Sequence, residues 1–120
     1  MRYVDGFVLP VPAKNLLAYR RMARRAGRIW MEYGALEFVE CVGDDISDGK
    51  CHFPFDKMAK AKRGEAVVFS FIVYKSKADR NRIYAQVMKD PRLAKSMQGK
   101  GMPFDWKRMA HGGFRAIVDL

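Results

Sequence analysis

The apolar positions of this chain change period several times, and each change marks an element. In YVDGFVLPV, Tyr3, Phe7 and Leu9 fall on one side and Val4 and Val8 on the other, the two-residue period of a strand that Pro10 and Pro12 are expected to stop. From Ala13 to Tyr33 the step lengthens to three and four: Leu16, Tyr19, Ala23, Ala26, Trp30 and Tyr33 trace one helical face, and Gly34 supplies a C-terminal stop. ALEFVECV returns to alternation, with Leu36, Phe38 and Val42 opposite Val39 and Cys41. A long connection from Gly43 to Gly64 is acidic at first (Asp44, Asp45, Asp48) and basic later, and Asp56 would cap a short helix within it. EAVVFSFIVY reads as a third strand. Ser76 to Lys89 reads as a second helix, opened by the Ser76-x-x-Asp79 box and packed through Ile83, Tyr84, Val87 and Met88. Asp90-Pro91 starts another short turn, and GGFRAIVDL supplies the last strand. Strand, helix, strand, strand, helix, strand is the split βαβ order. The expected fold class is therefore α+β, a ferredoxin-like βαββαβ antiparallel sheet in a single domain, residues 1–120.

Two helices cover one face of such a sheet, and a face left in water should carry polar residues. The third strand does not obey this. Val67, Phe69, Phe71 and Val73 form one set, Ala66, Val68, Ser70, Ile72 and Tyr74 the other, and both are apolar. Covering roughly 400 to 600 Å² of hydrocarbon at about 25 cal/mol per Å² gives about 10 to 15 kcal/mol of gross driving force before association costs. A second copy stacked face to face about a two-fold axis is the simplest cover, so the chain is expected to be a homodimer, a dimeric α+β barrel.

Bulk composition narrows the classes. Of 120 residues, 49% are hydrophobic and 30% charged, an ordinary soluble balance; the longest apolar stretch, Ala66 to Tyr74, is broken by Ser70 and too short to cross a membrane. The first apolar segment is interrupted by Asp5, Gly6, Pro10 and Pro12, unlike a signal peptide, so a cytoplasmic location is expected. Cys41 and Cys51 have no second pair to build a disulfide framework and read as free thiols. A net charge of +10 raises the question of an anionic partner. Much of it sits on Arg20, Arg21, Arg24, Arg25 and Arg28, and later on Lys57, Lys60, Lys62 and Arg63, either a solvated surface or a contact for anions.

Candidate chemistry is sparse. Asp5 is a carboxylate inside an apolar strand: alone it would be a proton shuttle, beside an arginine a structural ion. Glu37 and Glu40 lie on opposite faces of the second strand and are not an acid–base pair, though either could meet Asp5 or Arg115 across the sheet. In GMPFDWKRMAHGGF, Asp105 looks like a cap, Trp106 and Met109 share a face, and Lys107, Arg108 and His111 ring the turn. This segment is either a plug over one end of the sheet or the wall of a pocket for an aromatic or anionic ligand. In the second case Tyr3, Asp5, Trp106, Arg108 and His111 are the expected ligand-binding residues. Cys41, Cys51, His52 and His111 lack the paired spacings of zinc sites, and no glycine motif cradles a phosphate, so neither metal nor cofactor is expected. RNA-recognition domains share this element order, yet in KRGEAVVFS the three positions of their base-stacking aromatics hold Glu65, Val67 and Ser70. A nucleic-acid partner is disfavoured, with nonspecific phosphate contact along the arginine-rich helix as the alternative.

The segments YVDGFVLPVP, GALEFVEC, AVVFSFIVY, VMKDPRL and MPFDWKRMAHGGF resemble the signature segments of the YbaA-like bacterial family of unknown function, which belongs to the dimeric α+β barrel superfamily. The resemblance spans nearly the whole chain and implies the fold and dimerisation already read from the pattern. It brings no activity and no catalytic residue. The functional expectation is a homodimer that binds or transforms a small aromatic or anionic molecule; the alternatives are a nonspecific nucleic-acid module or a structural, interaction protein.

Overall fold

The computed structural model of the chain describes residues 1–46, 51–96 and 101–120; Asp48, counted above in the acidic start of the middle connection, lies outside them. The elements are β1 (Tyr3–Pro12), a 3-10 turn (Ala13–Asn15), α1 (Leu16–Glu32), β2 (Glu37–Val42), α2 (Phe55–Met58), β3 (Glu65–Tyr74), α3 (Lys77–Lys89), α4 (Pro91–Ser96), a second 3-10 turn (Trp106–Arg108) and β4 (Ala110–Arg115). The strands form one sheet in the order β2-β3-β1-β4, with every neighbouring pair antiparallel. This is the ferredoxin-like α+β fold. Among the described residues no helix is long and apolar enough to cross a membrane.

Several local expectations need correction. β1 does not stop at its prolines but runs through Pro10 and Pro12, which pair with Val67 and Glu65 of β3. On its other side β1 is paired with β4 only as far as Val8 opposite Ala110, so beyond that point it is an edge strand and the missing N–H groups cost no ladder bond to β4. β4 itself starts at Ala110 and ends at Arg115, earlier than the Gly112 to Leu120 expected. α2 starts at Phe55, which places Asp56 inside the first turn rather than at the cap; its Oδ1 accepts from the Lys57 N–H at 2.9 Å. Ser76 does cap α3, its hydroxyl accepting from the Asp79 N–H at 3.1 Å. Of the four apolar residues assigned to the buried side of α3, Ile83 and Val87 are fully buried, while Tyr84 and Met88 remain about half exposed.

The core lies between the sheet and the α1 and α3 layer. Tyr74, Ile72, Ile83, Val87, Ile29 and Ala35 make one cluster; Leu9, Val11, Val68, Tyr19 and Ala23 make the other. At Gly27 of α1 a side chain would have its Cβ 2.6 Å from the Phe38 ring, so the glycine is what allows the helix to approach β2. The result is a slab of 41 × 40 × 20 Å, with a radius of gyration of 15.1 Å. A compact domain of this length would have about 13.6 Å. The flatness follows from the second sheet face having little above it. Phe55 of α2 meets the Phe69 ring edge-on at 6.1 Å, yet Phe69 is still 43% exposed and Phe114 63%. Beyond β4, Ala116 donates its N–H to the Arg2 carbonyl at 3.1 Å, and Ile117 and Val118 stand in the open.

Candidate functional site

α1 packs against β2 through Gly27 and Phe38, and Val42 towards the end of β2 stays half exposed. Between α1 and β2 runs a groove of about 910 Å³. Its floor is apolar, with Leu16 and Ala23 of α1, Phe38 and Val42 of β2, and Val68 of β3. Its helix wall carries Arg20, Arg24 and Arg28, four residues apart and therefore on one stripe about 12 Å long. The same spacing that puts Tyr19, Ala23 and Gly27 into the core sets these arginines one position round, at the rim.

Two carboxylates line this groove, Glu32, which is paired with Arg92 at 2.7 Å, and Glu40. Glu40 accepts a hydrogen bond from the Tyr19 hydroxyl at 2.7 Å, and Ser70 stands directly across from it in the β2–β3 register. Glu40 is exposed at the groove surface, and partial desolvation by the surrounding atoms moves its pKa upward, against the smaller opposing pull of the Tyr19 and Ser70 hydroxyls. Tyr19 is pushed the same way, first by burial and then by the neighbouring Glu40 charge, so its hydroxyl stays protonated. Its ring is held from behind by Phe104, edge-on at 5.5 Å, and Asn15 ties the loop to α1 by donating to the Pro103 carbonyl at 3.1 Å.

Among the described residues Arg20, Arg21, Arg24, Arg25, Arg28, Arg63 and Arg115 have no carboxylate partner, and of these Arg20, Arg24 and Arg28 line the groove; the other arginines are paired. Arg2 pairs with Asp119, Arg80 with Asp5, Arg82 with Asp79, Arg92 with Glu32 and Asp90, and Arg108 with Glu65. No ion pair or hydrogen bond among the described residues holds Arg20, Arg24 or Arg28. Guanidinium groups left in this state above an apolar floor suit a ligand with an anionic end and a hydrocarbon or aromatic body.

The residues expected from the sequence to bind a ligand do not line this groove. Asp5 is buried and accepts from Arg80 Nε at 3.1 Å and from the Tyr74 hydroxyl at 2.9 Å, with Trp30 Nε1 donating in turn to Tyr74 at 3.1 Å. Tyr3 lies under the same guanidinium, its ring centre 5.3 Å from Arg80 Cζ. Tyr3 and Asp5 are thus together, in a closed network. Arg108 is engaged by Glu65 at 2.6 Å and by the Lys60 carbonyl at 2.8 Å. Trp106 is 62% exposed, and the exposed His111 touches Phe7 edge-on at 6.1 Å. From the 101–113 segment it is Phe104 and Met109 that reach the core, while Asp105 caps its turn by accepting the Lys107 N–H at 3.0 Å. Glu37 comes within 3.8 Å of Arg2, and Glu40 meets Tyr19, so neither reaches Asp5 or Arg115. Cys41 and Cys51 are free and exposed, and no group of three or more metal-ligating side chains occurs among the described residues. The sequence signal for the groove is spacing: arginines at 20, 24 and 28 share a stripe of α1, and Glu40 is the polar residue of an otherwise apolar strand face that lines the same groove.

Residues 2–106 match the family described as "Protein of unknown function (DUF1428)". The chain belongs to this family. It is 48% identical to "Uncharacterized protein YbaA" of Escherichia coli (strain K12) over 119 residues, 99% of each chain, and equally to the protein of the same description from Shigella flexneri. Among solved structures it is similar to Rv0793 from Mycobacterium tuberculosis (TM-score 0.58, 10% identity, 99% and 98% of the two chains). A dimeric ferredoxin-like protein from an uncultured marine organism gives 0.55 at 11% identity, with 100% of both chains covered. A mutant of SnoaB, a cofactor-independent oxygenase from Streptomyces nogalater, gives 0.54 at 15% identity over 99% and 96%. At these identities the likeness is one of fold.

Proposed function

We propose that this protein is a homodimer, closed by its apolar sheet faces, that binds a small amphipathic anion in the groove between α1 and β2. The observation that carries the ligand reading is the stripe of three guanidinium groups, without a partner among the described residues, above an apolar floor. The dimer is supported by exposed Phe69 and Phe114 on the face opposite the helices, and by a fold neighbour that is itself a dimeric ferredoxin-like protein. A ligand of this class is held by its charge at the arginines and by burial of its apolar part against Leu16, Phe38 and Val42.

The probe for the groove is 8-anilinonaphthalene-1-sulfonate, an aromatic sulfonate, titrated by calorimetry. Binding that weakens at least about 10-fold in the Arg24→Ala, Arg28→Ala double variant is the expected result. Equal binding by the variant overturns the assignment. Displacement of the probe by a single-stranded oligonucleotide, with affinity falling steeply as salt rises, would move the reading to a nucleic-acid surface. Light scattering tests the dimer: the mass of one chain at micromolar concentration would refute it, and Phe69→Asp is expected to give that mass.

A further inference from the structure

We propose that Glu40 is a catalytic base and Tyr19 its positioning residue, and that the groove moves a proton within a bound aromatic 2-oxo acid. This rests on the reading of the groove as a binding site and adds a reaction to it.

The carboxylates of the molecule differ in what stands against them. Asp5, Glu65 and Asp90 are each clamped by a guanidinium group. Glu40 is held by neutral hydroxyls, Tyr19 at 2.7 Å and Ser70 across the register. A carboxylate that gives its charge to an arginine is a poor proton acceptor; one held by neutral donors keeps its basicity. Position adds to this. Glu40 lines the groove, so a bound molecule can touch it, and the buried Tyr19 ring, wedged against Phe104, fixes where the hydroxyl points. The groups that meet the carboxylate are the hydroxyls of Tyr19 of α1 and Ser70 of β3; Arg20, Arg24, Arg28 and Glu32 of α1 are the other charged groups lining the groove, and Cys41, next along the strand, projects to the opposite sheet face. Desolvation moves Glu40 upward from the carboxylate range, toward the pH at which a base is most effective.

The apolar floor selects an aromatic body and the arginine wall a carboxylate. A proton loose enough for a carboxylate to take is one on carbon beside a carbonyl group. Glu40 takes that proton: the C–H bond breaks, its electron pair forms a C=C bond to the carbonyl carbon, the carbonyl π pair moves to oxygen, and the enolate charge develops beside the arginine wall. The carboxylic acid so formed returns the proton to that oxygen, giving the enol, or to carbon in the reverse direction. The composition of the ligand does not change, and no oxidant or other reactant is consumed.

The test uses phenylpyruvate as probe and follows exchange of its benzylic protons in D₂O by proton NMR. The wild-type protein is expected to accelerate exchange above buffer, and Glu40→Gln to lose at least about 100-fold of that acceleration. The amide introduced by Glu40→Gln can still accept from Tyr19, so the variant should fold and bind the anilinonaphthalene probe within about two-fold of wild type. Tyr19→Phe removes a donor that favours the charged carboxylate, so the rise of rate with pH should move to higher pH, a shift that a role in packing alone would not give. Retained exchange in Glu40→Gln overturns the proposal. So does a wild-type protein that binds the anilinonaphthalene probe but leaves exchange at the buffer rate, in which case the binding reading stands. Failure to bind that probe at all removes both.

Discussion

Asp5 of β1 and Glu40 of β2 project from the same helix-covered face of one sheet, and their surroundings differ in kind. Asp5 is met by the guanidinium group of Arg80 and by a tyrosine hydroxyl that is itself held by Trp30, and Tyr3 closes the network from the side. Both of its carboxylate oxygens have partners, and the groove does not reach it. Among the described residues Glu40 has hydroxyl partners only, and it lines a groove whose helix wall carries Arg20, Arg24 and Arg28. Two carboxylates on one sheet face therefore do different work. One converts charge into a tie between β1 and α3, and the other stands on the groove wall with no guanidinium group against it among the described residues.

Removing each group in turn is the strongest way to break this comparison. Asp5→Ala leaves Arg80 without its partner against a buried site and is expected to cost about 3 kcal/mol in chemical denaturation, whereas Glu40→Gln should change stability by less than about 1 kcal/mol. Equal losses would mean that Glu40 is also structural. Gly27→Ala comes next, at about 2 kcal/mol, because the new Cβ would meet the Phe38 ring at 2.6 Å and drive it from its place in the groove floor. That variant should lose probe affinity along with stability, and intact affinity would show that Phe38 is not part of the floor.

Acid titration adds a second contrast, since Glu65 and Asp90 on one side and Glu40 on the other shift in opposite directions. Arg108, with the Lys62 N–H, depresses Glu65 to about 2, and Arg92, with the Tyr33 hydroxyl, depresses Asp90 as well. Stability from such groups is complete above the ordinary carboxylate pKa and is lost as pH falls from about 4.5 toward 2. Thermal melting should therefore decline across that window, and Glu65→Gln should flatten the decline. Glu40 has its pKa raised, so it favours the folded state when protonated and that contribution is lost as pH rises past its folded value. Glu40→Gln should leave the acid limb alone and flatten the loss above it. The smallest expected effect is Tyr19→Phe, about 1 kcal/mol for one partly buried hydrogen bond, read by the same denaturation experiment.

Local pattern alone determined most of the architecture. The change of apolar period placed β1, α1, β2, β3 and α3 close to where they lie, the Ser76 cap and the Asp105 cap follow from short-range hydrogen bonding, and the two apolar sets of β3 forecast a second apolar face, on which Val67 and Val73 are buried and Phe69 is 43% exposed. These features depend on neighbours in sequence or on a repeat of two or four residues, so they are written in the chain itself. What tertiary structure decided was pairing between distant segments. Only the end of β4 at Ala110 makes Pro10 and Pro12 tolerable in β1, and only the docking of α3 gives Asp5 to Arg80. The 101–113 segment illustrates the same limit: its Trp and His looked like a site, yet Phe104 and Met109 are the side chains that enter the core, and they do so behind Tyr19. How closely α1 approaches β2 is set by Gly27 against Phe38, and that contact, decided by packing and not by local pattern, is what makes a charged helix face the wall of a groove.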